Sequence, residues 1–238
     1  MIKRVLVVSA ALALAACSQP QQQQTAAQQA PPPAAQENAP DVSALPAGEY
    51  RLDPAHASLI FRVDHLGFSN YTGRFTRWDA TLNLDPANPG AATVTATIDP
   101  RSLDADRAPA GFLDDLRGAD WLNAAQFPQM TFRSTSVEVT GPRTARITGD
   151  FTFRGVTAPV TLEARFNGGY AGHPLDPNAR IGFSARGTLN RSAFGLAEGI
   201  PAPGTTMGVS DAVEFIIESE FSGPAWTPPA DPQQAPAQ

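Results

Sequence analysis

The chain is poor in the residues that chemistry most often uses. Its 238 residues include one Cys, three His and a single Lys, Lys3, and only 17% are charged. One Cys excludes an internal disulfide, a CxxC redox pair and a thiolate zinc site. With 17 basic against 23 acidic residues the net charge is −6, and an acidic chain without a basic run argues against a nucleic-acid partner. No G-x-S-x-G, H-E-x-x-H, P-loop or G-x-G-x-x-G stretch is found, so the enzyme classes those motifs identify have nothing to attach to. Proline, by contrast, is abundant: 23 residues, about twice the usual share of ~5%.

The first residues, MIKRVLVVSAALALAAC, place Lys3 and Arg4 before a largely apolar run from Val5 to Ala13, with small residues leading to Cys17. That is the order of a secretory signal, and the run is shorter than the ~20 apolar residues a membrane-spanning helix needs. Leu14-Ala15-Ala16-Cys17 resembles the bacterial lipobox, in which the signal (residues 1–16) is cleaved before a lipidated Cys. The chain's single Cys falls where the lipobox requires it, so Cys17 is the expected lipidation site. Ser18, rather than Asp, implies by the same resemblance the outer membrane in preference to the inner one, facing the periplasm. Removal of the signal leaves 15 Arg against 23 acids, a charge of −8.

Between Ser18 and Gly48, Gln contributes 8 of 31 residues, Ala 8 and Pro 6, with no aromatic residue. Such a segment has too little apolar surface to offset its ordering entropy. Residues 17–48 are therefore expected to be a disordered tether, spanning about 30 Å as a coil or roughly 95 Å as extended polyproline II. The tail, residues 223–238, has the same Pro, Gln and Ala bias and the same expectation.

From about residue 49 to 222 the pattern changes to period-two alternation, the mark of half-buried strands. In Ala145-Arg-Ile147-Thr-Gly149-Asp-Phe151-Thr-Phe153 the odd positions are apolar or small, and Val160, Leu162, Ala164 and Phe166 repeat the pattern. Such runs occur near 56–65, 74–84, 92–99, 129–139, 144–154, 159–168, 180–189 and 210–221, punctuated by Pro and Gly. Only residues 110–127 read as helical. One short helical insertion supplies too few crossovers for a parallel sheet. Such strands fit a closed barrel or a two-sheet sandwich, and the expected fold is the all-β, antiparallel, eight-stranded barrel, since closure removes exposed edges.

Phe132, Phe151, Phe153, Phe166, Phe183 and Phe215 fall on inward positions beside Gly149, Gly187, Ala96, Ala164 and Ala185. An eight-stranded barrel is just wide enough to be filled by side chains or to hold one small ligand. Large rings beside Gly and Ala fit either reading, with a filled core the default.

Titratable candidates are few. His56 and His65 are nine residues apart, which puts them on opposite faces of an unbroken strand and argues against a shared metal. His65, in Asp64-His65-Leu66-Gly67-Phe68, reads as a residue that fixes a strand-to-turn transition, or as a polar group at a barrel mouth. His173 sits in a Gly/Pro loop. Asp114, Asp115 and Asp120 read as a solvated helix face. Arg191, where a strand runs into a long Gly/Pro loop, reads either as a fork for a phosphate or carboxylate head group or as the partner of a neighbouring acid.

Several stretches resemble the YceI-like family of polyisoprenoid- or lipid-binding domains. They are Tyr50-Arg-Leu-Asp53-Pro-Ala-His56, Phe61-Arg-Val-Asp-His65-Leu-Gly67-Phe68-Ser69 with Gly73-Arg-Phe75, and Phe127-Pro128-Gln-Met-Thr131-Phe132. Further along come Gly149-Asp-Phe-Thr-Phe-Arg154-Gly155-Val-Thr157, Arg191 with Phe194-Gly195, and Val209-Ser-Asp211. They run in family order over nearly all of residues 48–222. One stretch departs: where the family usually carries Arg-Asp-x-His-Leu, this chain has Phe112-Leu113-Asp114-Asp115-Leu116.

The resemblance implies a lipocalin-like extended barrel whose interior holds a long amphiphile such as a polyisoprenoid, an isoprenoid quinone or a fatty acyl derivative. It raises the cavity over the filled core, with the six phenylalanines as its lining and His65 and Arg191 as polar head-group candidates. The expectation is a lipid-binding protein of the bacterial envelope, membrane-associated through Cys17. It is not expected to be an enzyme, and no catalytic or metal residues and no cofactor beyond a bound lipid are expected. A homodimer is left open. The rival readings are a quinone-linked redox accessory and an envelope stress lipoprotein with a vestigial cavity.

Overall fold

The computed structural model describes residues 45–226. Cys17, the signal, most of the tether and residues 227–238 lie outside the described residues. Strands form on each of the eight alternating runs, with β2 and β5 in addition: β1 (Gly48–His65), β2 (Ser69–Phe75), β3 (Trp78–Leu84), β4 (Thr93–Ile98), β5 (Leu103–Asp104), β6 (Met130–Gly141), β7 (Thr144–Phe153), β8 (Val156–Tyr170), β9 (Asn178–Asn190) and β10 (Val209–Ala225). All pairings are antiparallel, in the order β10-β9-β8-β7-β6-β4-β3-β1, and β1 pairs back with β10 to close an eight-stranded barrel.

The remaining two strands elaborate one wall. β1 pairs with β3 over Gly48–Arg51 and with β2 over Leu59–His65, so β2 and β3 run in line along it. The line breaks at Thr76 and Arg77, whose backbones bond to Ser102 and Asp99 instead. β5 then pairs with β2 through Arg74↔Asp104 and Phe75↔Leu103. The helical insertion is shorter than its periodicity predicts: α1 covers only Phe112–Arg117, and turns follow. Gly118 ends it, its N–H bonding to Asp115 O at 2.9 Å.

Two local sequences fix the register. Phe153↔Val156 leaves Arg154 and Gly155 as a two-residue hairpin loop with φ of 51° and 75°, the positive values a type I′ turn requires. On β1, Leu52 pairs with Phe221 but Ala57 with Ser219. The extra residues, Asp53-Pro54-Ala55-His56, form a bulge, where a proline and its missing N–H are tolerated.

The ordered barrel extends past both boundaries read from composition. Leu45, within the stretch assigned to the tether, is buried against Tyr50 and Leu52. Beyond Ser222, β10 continues to Ala225, and Trp226 N–H donates to Pro177 O. Single apolar side chains that find a pocket outweigh a polar average.

Candidate functional site

The barrel is not filled. A cavity of about 1160 Å³ runs through its interior, so the default filled core is corrected. Buried side chains gather in two groups. One surrounds Tyr50, Phe166, Ile181 and Phe221, and the other surrounds Met130, Phe153, Val160 and Phe194. Aromatic pairs stiffen both, Phe166–Phe183 at 5.5 Å and Phe151–Phe194 at 5.4 Å between ring centroids.

Three of the lining rings lie against glycines of neighbouring strands. Phe61 pairs directly with Gly73 and Phe215 with Gly187. A methyl at either glycine would collide with the facing ring, and one at Gly149 would collide with Phe132. Without a Cβ beneath it, a ring settles flat on the neighbouring strand instead of reaching the barrel axis. The large-beside-small pattern therefore encodes a lined cavity.

Phe132, Phe151, Phe153, Phe166, Phe183 and Phe215 all line the cavity. Phe61, Tyr71 and Phe75 join them, and the same alternation in Leu59-Phe61-Val63 and Tyr71-Gly73-Phe75 would have found them. Phe112, Leu116 and Trp121, from the insertion, line it too. At α1 this chain thus places an apolar surface where the family pattern has an Arg and a His.

His65 and Arg191 are both on the cavity wall, at the end formed by the β1–β2 turn, α1 and the loop before β10. His65 is exposed, and the turn is fixed by its neighbour: Asp64 Oδ1 accepts from Gly67 N–H at 2.8 Å. The strand-to-turn role read for His65 therefore belongs to the Asp64 side chain, with His65 contributing its carbonyl to Phe68 N–H.

Arg191 is 3% exposed. Its Nε, Nη1 and Nη2 donate to the carbonyls of Ser210 (2.9 Å), Leu196 (3.0 Å) and Val209 (2.8 Å), and its guanidinium sits over the Trp121 ring at 5.6 Å. Burial pulls its pKa down, with the fields of Asp211 and Glu198 opposing that. Its hydrogen-bond partners are carbonyls and not the acid considered above. Asp211 instead accepts from Ser192 N–H and Oγ at 2.8 and 2.7 Å. Three of the five guanidinium donors thus tie the loop before β10 to the barrel.

The other titratable candidates lie elsewhere. His56 bonds Asp53 across 3.0 Å within the bulge, and His173 Nδ1 accepts from Leu175 N–H. Asp114 pairs with Arg117 at 2.9 Å. Among the described residues no three His, Cys, Asp or Glu side chains gather as a metal site would need.

A profile of the YceI-like domain matches residues 50–221. The chain belongs to the YceI-like family. Within that family it is 40% identical over 179 residues to Protein YceI of Salmonella arizonae, covering 73% of this chain and 86% of the relative. Among solved structures the YceI-like barrel is similar to Burkholderia cenocepacia BcnA (25% identity, TM-score 0.59, 71% of this chain and 98% of that one). It is also similar to a Campylobacter jejuni YCEI protein (28%, TM-score 0.57, 68% and 90%). A polyisoprenoid binding domain from Saccharophagus degradans shares the fold at 12% identity and a TM-score of 0.53, over 75% of this chain and all of that one.

Proposed function

We propose that this barrel holds a long-chain amphiphile, such as a polyisoprenoid, an isoprenoid quinone or a fatty acyl derivative, and stores or carries it in the bacterial envelope without catalysis. In this reading the domain is anchored through lipidated Cys17 and faces the periplasm, with the outer membrane as its site. The observation that carries the binding role is the phenyl-lined cavity of about 1160 Å³, just above the ~300–1,000 Å³ usual for small-molecule sites. Ten residues of β7, at ~3.3 Å per residue and a tilt of ~35–45°, make the barrel about 25 Å long. That length suits an extended chain better than a compact ring system.

Each CH₂ moved from water into such an interior is worth about 0.8 kcal/mol. The competing phase in an envelope is the bilayer, which gives the tail an equivalent environment. A carrier therefore needs only to match the membrane, and release stays possible. The S. degradans domain is described as polyisoprenoid binding, which agrees with this reading at the level of fold.

The test is native mass spectrometry and organic extraction of the soluble domain, purified without detergent and then offered a prenol, a quinone and a fatty amide. Retention or uptake of one amphiphile per barrel is expected. A domain that never takes one up overturns the proposal.

A further inference from the structure

Two large apolar side chains stand in water at the end of the barrel formed by the β1–β2 turn, α1 and the loop before β10. Phe68 is 80% exposed and Met207 68%. Ordered turns present both. Phe68 N–H donates to His65 O at 3.0 Å and Gly67 N–H to Asp64 Oδ1 at 2.8 Å. Met207 N–H donates to Thr205 Oγ1 at 3.0 Å and Gly208 N–H to Thr206 O at 2.9 Å. The two turns also touch: Leu66 N–H donates to Gly208 O at 2.8 Å, and Gly67 faces the Thr206 side chain. They make one tip, and His65, Ser69 and Val209 beside it belong to the cavity wall.

Charge is nearly absent from this tip. Residues 64–69 and 196–209 hold no Lys or Arg, and their acids are Glu198 and Asp64, the latter turned into its own loop. Leu175, the exposed side chain at the opposite end, is set differently. Its turn carries Asp176, which pairs with Arg180, and no residue between Phe166 and Phe183 lines the cavity.

Phe68 and Met207 together expose roughly 300 Å², well short of the ~800 Å² per partner that a stable protein interface covers. A bilayer needs no such area. Apolar side chains entering its interfacial region give weak, reversible attachment, which suffices for a domain held close by an anchor. β1 starts at Gly48 and ends at His65, so the chain enters at the end of the barrel opposite the tip. Cys17 precedes Leu45 by 28 residues, up to about 90 Å of chain, well beyond the length of the barrel. An anchor at Cys17 therefore leaves the tip free to meet the same membrane.

We propose that Phe68 and Met207 insert into the surface of an electrically neutral lipid bilayer and set the α1 end of the cavity against it. An amphiphile then passes between membrane and barrel without crossing water. The contact belongs to the tip and requires no ligand, whereas its use in loading rests on the amphiphile reading above.

The test is sedimentation of the chain from Ser18 to Gln238 with vesicles of phosphatidylcholine and phosphatidylethanolamine. Omitting Cys17 keeps its lipid from holding every variant on the vesicle. Binding at millimolar lipid is expected. Phe68→Ser with Met207→Ser should raise the lipid needed for half-binding about tenfold or more. Leu175→Ser should leave it unchanged, and added phosphatidylglycerol, an anionic lipid, should not tighten it. Both substituted side chains lie largely in water, so the double variant keeps the barrel and takes up amphiphile from detergent-free solution as the unaltered chain does. No vesicle binding by the unaltered chain, equal binding by the double variant, or binding only with phosphatidylglycerol overturns the tip contact and leaves the carrier reading intact. Self-association that the double variant abolishes, with vesicle binding unchanged, overturns it in favour of a second copy of the chain. A chain that binds vesicles through the tip but never takes up an amphiphile overturns the carrier reading alone.

Discussion

Phe61 lies over Gly73, its partner on the adjoining strand, so closely that a methyl at position 73 would stand 2.5 Å from the ring's Cζ. The interior of the barrel depends on such pairs, since each glycine lets a ring rest on the wall.

Gly73→Ala is expected to push the Phe61 ring off the wall and into the cavity. Because the ring has open space to enter, the stability cost should sit at the low end for overpacking, about 1 kcal/mol, read from the urea midpoint. Amphiphile uptake should fall more sharply than stability. Full uptake in a destabilised variant would show that the flat ring does not set the cavity's capacity.

Much of the barrel was legible because period two is a direct imprint of one face in and one out. The runs near 144–154 and 180–189 differ by a residue or two from β7 and β9. The break between β2 and β3 was not, since Thr76 and Arg77 leave the ladder for contacts made by Ser102, some 25 residues along the chain. The six phenylalanines were readable as inward, whereas the seating of Phe132 over Gly149 and of Phe215 over Gly187 was not. A ring facing Gly187 looks in sequence like a ring ready to fill a void. Arg191 shows a different limit: its partners are backbone carbonyls, which every residue has and no motif marks.

The bulge on β1 should give the fold a modest pH dependence. Hydrogen bonds from His56 first and Arg180 next hold the Asp53 carboxyl down to about 2, and the same Asp53 bond raises the His56 pKa. A depressed carboxyl stabilises above its unfolded value of ~3.9 and loses that contribution as pH falls toward 2, whereas a raised imidazole stabilises below ~6.5 and loses it on the alkaline side. The pair therefore supports the fold most between about pH 4 and 6.5. His56→Gln is expected to lower the urea midpoint at pH 5.5 and to leave it nearly unchanged at pH 8.5, and Asp53→Asn should shrink that difference to the part that Glu220, 3.9 Å from His56, supplies. A His56→Gln effect of equal size at both pH values would break the assignment.

Cys17 carries the proposed anchor, and its loss should move the protein without altering the barrel. Cys17→Ser, expressed in a Gram-negative host and fractionated, is expected to leave the membrane pellet for the soluble periplasmic fraction or to accumulate as uncleaved precursor. Radiolabelled palmitate should mark the unaltered chain and not the variant. Membrane association that persists without label would place the anchor elsewhere.

Arg191 sits where the loop before β10 joins the barrel, and its three carbonyl partners belong to Leu196, Val209 and Ser210. Arg191→Met keeps the length and the apolar contact with Trp121 but leaves those carbonyls without the fork. Each buried acceptor left unsatisfied costs ~1–3 kcal/mol, partly relieved if the loop opens to water, so a loss of about 3 kcal/mol is expected by urea denaturation. Thermolysin should then cut faster within residues 196–208 than in the unaltered domain. Arg191→Lys should recover little, because an ammonium cannot reproduce a planar fork aimed at three separate carbonyls. If lysine restores both stability and protease resistance, the charge matters and the fork does not, and Arg191 becomes a candidate for holding an anionic head group instead of the loop.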